Sequence, residues 1–117
     1  MWELEPTSQW LKDRKWYEKK RPSELAAVLH NLQRYLDQLN LAPNPRAVQG
    51  GYLHYEPGGV VAVDQKGAGG NLQQTRLYTF ADPDSKILHL ITIGDKRDQP
   101  SDIKFCSDFV KRIKNES

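Results

Sequence analysis

The sequence predicts an α+β domain in which a helical hairpin packs on a twisted antiparallel sheet, with a short N-terminal strand and a closing C-terminal helix. Three observations carry this. Apolar residues from Leu25 to Leu39 recur at spacings of three and four, the period of a helix with one buried face. Between Val48 and Ile93 the pattern changes to short β-branched and aromatic runs punctuated by Gly, Pro, Asn and Asp. Beyond Pro100 the residues Ile103, Cys106, Phe109, Val110 and Ile113 return to helical spacing.

Each element follows from local chemistry. Trp2 and Leu4 alternate with Glu3 and Glu5 before Pro6, which predicts a short strand with one buried face. Thr7 or Ser8 caps a helix to about Lys20, with Trp10, Leu11, Arg14 and Tyr17 on neighbouring turns, and Pro22 interrupts it. The second helix places Leu25, Val28, Leu29, Leu32, Leu36 and Leu39 on one side and stops at Ala42-Pro-Asn-Pro45. Strands are expected at Val48 to Tyr55, Val60 to Asp64, Gln74 to Ala81 and Lys86 to Ile93. Short polar connections at Pro57-Gly-Gly59, Gly67-Ala-Gly-Gly-Asn71 and Asp82-Pro-Asp-Ser85 favour antiparallel pairing. The last helix starts near Pro100 or Ser101 and ends with lysines at the negative end of its dipole.

Composition narrows the class of function. A length of 117 residues suits one domain with a single modest core. Hydrophobic content of 38% with 27% charged residues is that of a soluble globular protein, and no apolar run approaches the ~20 residues of a membrane span. The first residues are acidic where a secretory signal would be basic, and Cys106 has no partner for a disulfide, so a cytoplasmic location without membrane contact is expected. A net charge of +2 argues weakly for a polyanionic partner. Its distribution says more, because Lys12, Arg14, Lys15, Lys19, Lys20 and Arg21 cluster around Trp16 and Tyr17, and Lys111, Arg112 and Lys114 close the last helix. Such runs either attract nucleic-acid phosphates or are solvated helix faces. Trp10, Trp16 and Tyr17 either stack on bases or pack the first helix.

The stretch from Thr75 to Arg97 carries the chemistry. Arg76 lies on the strand Thr75-Arg-Leu-Tyr-Thr-Phe80, and Lys96 and Arg97 follow the strand Lys86-Ile-Leu-His-Leu-Ile-Thr-Ile93, so cations of neighbouring strands could converge on one phosphate. The plainer outcomes are a pairing of Arg76 with a carboxylate such as Asp64, and an exposed ion-paired turn for Lys96 and Arg97 between Asp95 and Asp98. His89 alternates with Leu88 and Leu90, and His54 stands beside Tyr52 and Glu56; either is a candidate base or an ordinary strand histidine. The glycine loop Gly67-Ala-Gly-Gly70 could cradle a phosphate, although it lacks the Lys-Ser or Lys-Thr ending of a P-loop. His30, His54 and His89 are isolated in sequence, so no metal or other cofactor is expected.

The Arg-Leu-Tyr-Thr-Phe strand, coupled to Leu88-His-Leu-Ile-Thr-Ile-Gly-Asp-Lys-Arg97 and a closing Phe-Val-Lys-Arg-Ile helix, resembles the RelE/ParE superfamily of bacterial toxins. The similarity covers most of the chain in element order and is concentrated in sequence between Thr75 and Ile113; the segment Gly50 to Asn71 is longer and richer in glycine than in typical members. The resemblance implies a toxin of a toxin-antitoxin system, a ribosome-dependent endoribonuclease that cuts mRNA without a metal and is silenced by a cognate antitoxin. Carried onto this chain, it places Arg76 on the scissile phosphate, Arg97 with Lys96 beside it where it stabilises developing charge or acts near the leaving group, and Lys66 at the basic position of the preceding strand. Together with His89 these are the expected catalytic groups, and Lys96, Lys12, Lys15, Lys19, Lys20 and Arg21 the expected RNA-binding ones. The family's terminal-helix tyrosine is replaced by the region of Phe105 and Cys106. The superfamily also contains ParE-like inhibitors of DNA gyrase, and a non-catalytic protein-binding module of the same fold is a third expectation.

Overall fold

A computed structural model describes residues 1–116 and shows a mixed five-stranded sheet in the order β1-β5-β4-β3-β2, with helices on both faces. Chain order is β1 (Glu3–Pro6), α1 (Ser8–Lys20), α2 (Pro22–Leu41), β2 (Leu53–Tyr55), β3 (Val60–Asp64), β4 (Thr75–Asp82), β5 (Ile87–Asp95) and α3 (Gln99–Glu116). Strands β2 to β5 form an antiparallel meander, and β1 joins the far side of β5 in parallel. The expected α+β arrangement of helical hairpin, sheet, leading strand and closing helix is therefore present.

Side-chain chemistry fixes where the helices start. The Thr7 hydroxyl oxygen accepts the Trp10 amide at 3.0 Å, an N-cap, while its hydrogen goes to the Ile91 carbonyl at 2.7 Å. Helix α1 is thus stitched to β5 at the point where β1 stops. One turn later Asp13 accepts the Ile93 amide at 3.0 Å and the Thr92 hydroxyl at 2.6 Å, so a helix side chain satisfies the edge that β1 no longer covers. Helix α2 opens with Pro22 at its first position, where the missing N–H costs nothing. At the β4–β5 hairpin, Asp82 accepts the Asp84 amide through its side chain and the Lys86 amide through its carbonyl.

The sheet divides the apolar residues into two layers where the length alone suggested one core. Trp10, Tyr17, Leu25, Val28, Leu32, Tyr35 and Leu39 of the hairpin pack on Leu77, Leu88, Leu90 and Ile93, whereas α3 lays Cys106 and Val110 on Val60, Ala62, Tyr78, Phe80 and Ile91. Ile91 and Ile93, two residues apart, serve opposite layers because a register shift opposite Tyr78 and Thr79 interrupts the alternation along β5.

Three local expectations need correction. Strand β1 has no buried face, since Leu4 is 44% exposed and the buried Trp2 precedes the strand. An edge strand this short gains its place from hydrogen bonds to β5. The segment Val48 to Tyr55 contributes only Leu53–Tyr55 to the sheet, because Asn44 caps a 3₁₀ turn at Pro45–Ala47 and Gly50-Gly51 bends the chain, though Val48 and Tyr52 are still buried. Leu11 points outward at 47% exposure while Trp10 and Tyr17 hold the helix to the core.

Candidate functional site

The α3 face of the sheet gathers a cluster of polar side chains at the end where β4 begins. Strand register places Arg76 opposite both Asp64 on β3 and Gly94 on β5, and His54 opposite Ala62. Cross-strand partners share a face, and alternation puts Tyr78 beyond Arg76 on it. Here the Arg76 Nη1 stands 3.8 Å from Glu56 Oε1, with the two side chains 15% and 18% exposed. Asp64 is engaged elsewhere: one oxygen lies 2.6 Å from His54 Nε2 and the other accepts the Lys66 amide at 2.7 Å. The pairing of Arg76 with Asp64 is thus replaced by one with Glu56. Because a carboxylate accepts, the His54 Nε2–H points at Asp64, and in the neutral ring that tautomer makes Nδ1 the acceptor.

The first turns of α3 cover the cluster. Gly94 permits this approach, since a Cβ there would run into the Asp102 carboxyl. Burial, followed by the nearby charges of Asp98, Asp13 and Asp95, pushes the Asp102 carboxyl up to about 7. Four buried polar atoms in this region, Arg76 Nε, Tyr78 Oη, Gln99 Nε2 and Asp102 Oδ2, have no hydrogen-bond partner among the described residues. Buried donors and acceptors are rarely left so, and a water molecule or a polar ligand group would satisfy them here, as water would for the orphaned Trp10 Nε1 and Tyr35 Oη of the hairpin layer. The Cys106 thiol below is pushed up by burial and by Asp102 and Glu56, so it stays protonated and is no nucleophile. Burial and Asp102 likewise raise the Tyr78 phenol, against the lowering effect of Arg76.

Of the catalytic candidates, only Arg76 belongs to this cluster. Arg97 is 84% exposed and donates to Asp95 at 3.1 Å, and Asp95 also receives Arg21 at 3.4 Å, on the side of the helical hairpin. The two arginines therefore have separate partners and do not form a clamp in this structure. Burial works against the Asp95 charge, but the Arg97 side chain and the amides of Arg97 and Asp98 outweigh it and hold the carboxyl below its usual range. Lys66 lies in the loop after β3, exposed and turned toward Gly51. His89 shares the face of Arg76 but is four residues along the strand, roughly 13 Å away. It is 6% exposed, stacked on Phe80 at 6.1 Å and edge-on to Phe109 at 5.4 Å, a packed aromatic position away from the cluster.

The expected RNA-binding residues divide as well. Lys12, Lys15, Lys19 and Lys20 are exposed along α1 without a carboxylate partner among the described residues, and Lys96 is exposed beside Arg97. Arg21 instead links the α1–α2 junction to Asp95 and lies over the Trp16 ring at 5.7 Å. Sequence reasoning joined Arg76 to Asp64 as a candidate ion pair but had no reason to add Glu56 and Asp102, which come from other elements. The alternation of His54 and Glu56 was the one available signal. Among the described residues no helix is long and apolar enough to cross a membrane, and no group of three or more His, Cys, Asp or Glu is placed to hold a metal ion. Compared with known proteins, the chain matches no family model and no curated protein, so the character of the site rests on its own geometry.

Proposed function

We propose that this chain is the toxin of a toxin-antitoxin pair, a RelE-type endoribonuclease that cleaves mRNA on the ribosome through the RNA's own 2′-hydroxyl. The observation that carries the reading is Arg76 on a central strand, in a polar cluster that also includes a carboxylate-oriented histidine and a carboxyl raised toward neutrality. Such cleavage needs a base, a cation and an acid. His54, fixed by Asp64, offers Nδ1 to the 2′-hydroxyl proton. Arg76 exchanges Glu56 for the phosphate and stabilises its added charge. Asp102, protonated in part near pH 7, supplies the proton for the departing 5′-oxygen. Arg97 and Lys96, exposed toward the helical hairpin, then meet phosphates of the RNA beyond the cleavage site, and a cognate antitoxin covers the surface in the cell.

Expression of the chain should arrest growth, and the purified protein should cut mRNA on translating ribosomes. Arg76→Ala and His54→Ala should each lower cleavage by about 100-fold or more while leaving the fold intact. Arrest with intact mRNA and a DNA-damage response would identify a gyrase inhibitor instead. The pairing of Arg76 with Glu56 specifically favours a second reading, a binding module without chemistry. Stable expression without arrest, unchanged by either substitution, selects that one.

A further inference from the structure

On the other face, α2 and the loop from Gln65 to Gln73 enclose a groove of about 710 Å³ that the reading above does not use. The loop is tied to the helix at both ends. Asn31, 2% exposed, donates its side-chain amide to the carbonyls of Asp64 at 2.8 Å and Lys66 at 3.0 Å, and Glu24 accepts the Gln73 amide at 3.1 Å. Between these anchors Gly67, Gly69 and Gly70 adopt φ of +93°, +76° and +77°, which glycine alone tolerates readily. Their amides donate to nothing among the described residues. On the helix side Ser23, Ala26 and Ala27 are small and leave the space open.

The charge in the groove is one-sided. His30, Arg34 and Lys66 line it, and no Asp or Glu does. Arg34 is held in place by stacking over Tyr52 at 4.1 Å and by a 3.3 Å hydrogen bond to the side-chain oxygen Oδ1 of Asn31, yet among the described residues neither it nor Lys66 has a carboxylate partner. A residue with a planar guanidinium, one with an ammonium and a run of glycines with undonated amides, all lining one groove, supply the groups that a phosphate site needs. The volume lies within the range of pockets for small ligands.

We infer that the groove between α2 and the glycine loop binds a phosphate group, either of a free phosphate ester or of a single-stranded RNA. Arg34 and Lys66 hold its oxygens and the Gly67–Gly70 amides complete the cradle. The groove lies on the opposite face of the sheet from Arg76, and among the described residues the two places share only Asp64 as a neighbour.

The test is titration of the full chain with pyrophosphate and, separately, with a short single-stranded oligoribonucleotide, followed by amide NMR and calorimetry. Saturable shifts should fall on Gly67, Gly69 and Gly70. Lys66→Gln, at an exposed position that leaves the core untouched, should weaken binding by roughly fivefold, and Arg34→Gln by roughly tenfold. Arg76→Ala should leave binding at the groove unchanged, which separates this site from the nuclease reading. RNA as the source predicts tighter binding of the oligonucleotide, with a salt slope that falls by about 0.7 for each cation removed. A free ester as the source predicts pyrophosphate binding at least as tight. No saturation by either probe below about 10 mM, or identical affinity in the Lys66→Gln variant, would overturn the assignment.

Discussion

Asp102 shows how a single side chain makes stability depend on pH. Its folded value of about 7 stands above the ordinary carboxyl value of 3.8, so the native state holds a proton that the unfolded chain releases. Stability from this group is full below the unfolded value and is lost as pH rises from about 4 to about 7. Urea unfolding of wild type and Asp102→Asn across that interval should therefore diverge, the variant becoming the more stable by about 1–2 kcal/mol at pH 8 after solvent screening. Parallel curves would refute it. His89 makes the complementary case. Packed between Phe80 and Phe109, it should cost about 2–3 kcal/mol as His89→Ala, measured by denaturation, while cleavage per folded molecule is unchanged. The sequence made Arg76 legible because a lone arginine between Thr75 and Leu77 on an apolar strand is conspicuous. It hid Asp102, whose significance depends on α3 crossing Gly94 closely, and closeness between elements leaves no periodic trace.

Whole elements were easier to foresee than their exact roles. Helix α2 was plain from its leucine spacing, and α1 and α3 from caps and apolar steps, because a helix repeats its burial pattern over many residues. Strands β2 and β1 were less so. Leu53–Tyr55 is three residues long, too few for alternation to distinguish a paired segment from the irregular Val48 to Tyr52 before it. The lateral support of β5 by α1 was invisible, since Asp13 reads as an ordinary exposed helix acid until Ile93 is placed against it. Removing that carboxylate in Asp13→Ala leaves the Ile93 amide and the Thr92 hydroxyl without their acceptor. The expected cost is about 2–3 kcal/mol in equilibrium unfolding, and a loss below about 0.5 kcal/mol would show that water takes its place.

Across the whole molecule the charged groups follow the two faces. The α3 face holds the mixed-sign cluster of Arg76, Glu56, His54 and Asp64, while the helical hairpin carries the exposed Lys12, Lys15, Lys19 and Lys20. Charge-removing substitutions at Lys12, Lys15 and Lys19 should leave the unfolding midpoint nearly unchanged. If RNA passes along α1, they should also reduce the salt slope of RNA binding by about 2; an unchanged slope would mark these lysines as a solvated face. The arrangement of strands has a separate outcome. Both outermost strands of the sheet are short, with four residues in β1 and three in β2, and β1 carries Glu3, Glu5 and a terminal Pro6. A second molecule seeking to extend the sheet would find few vacant backbone groups on either rim and an acidic border on one of them, so the chain is protected against ribbon-like polymerisation even at high concentration.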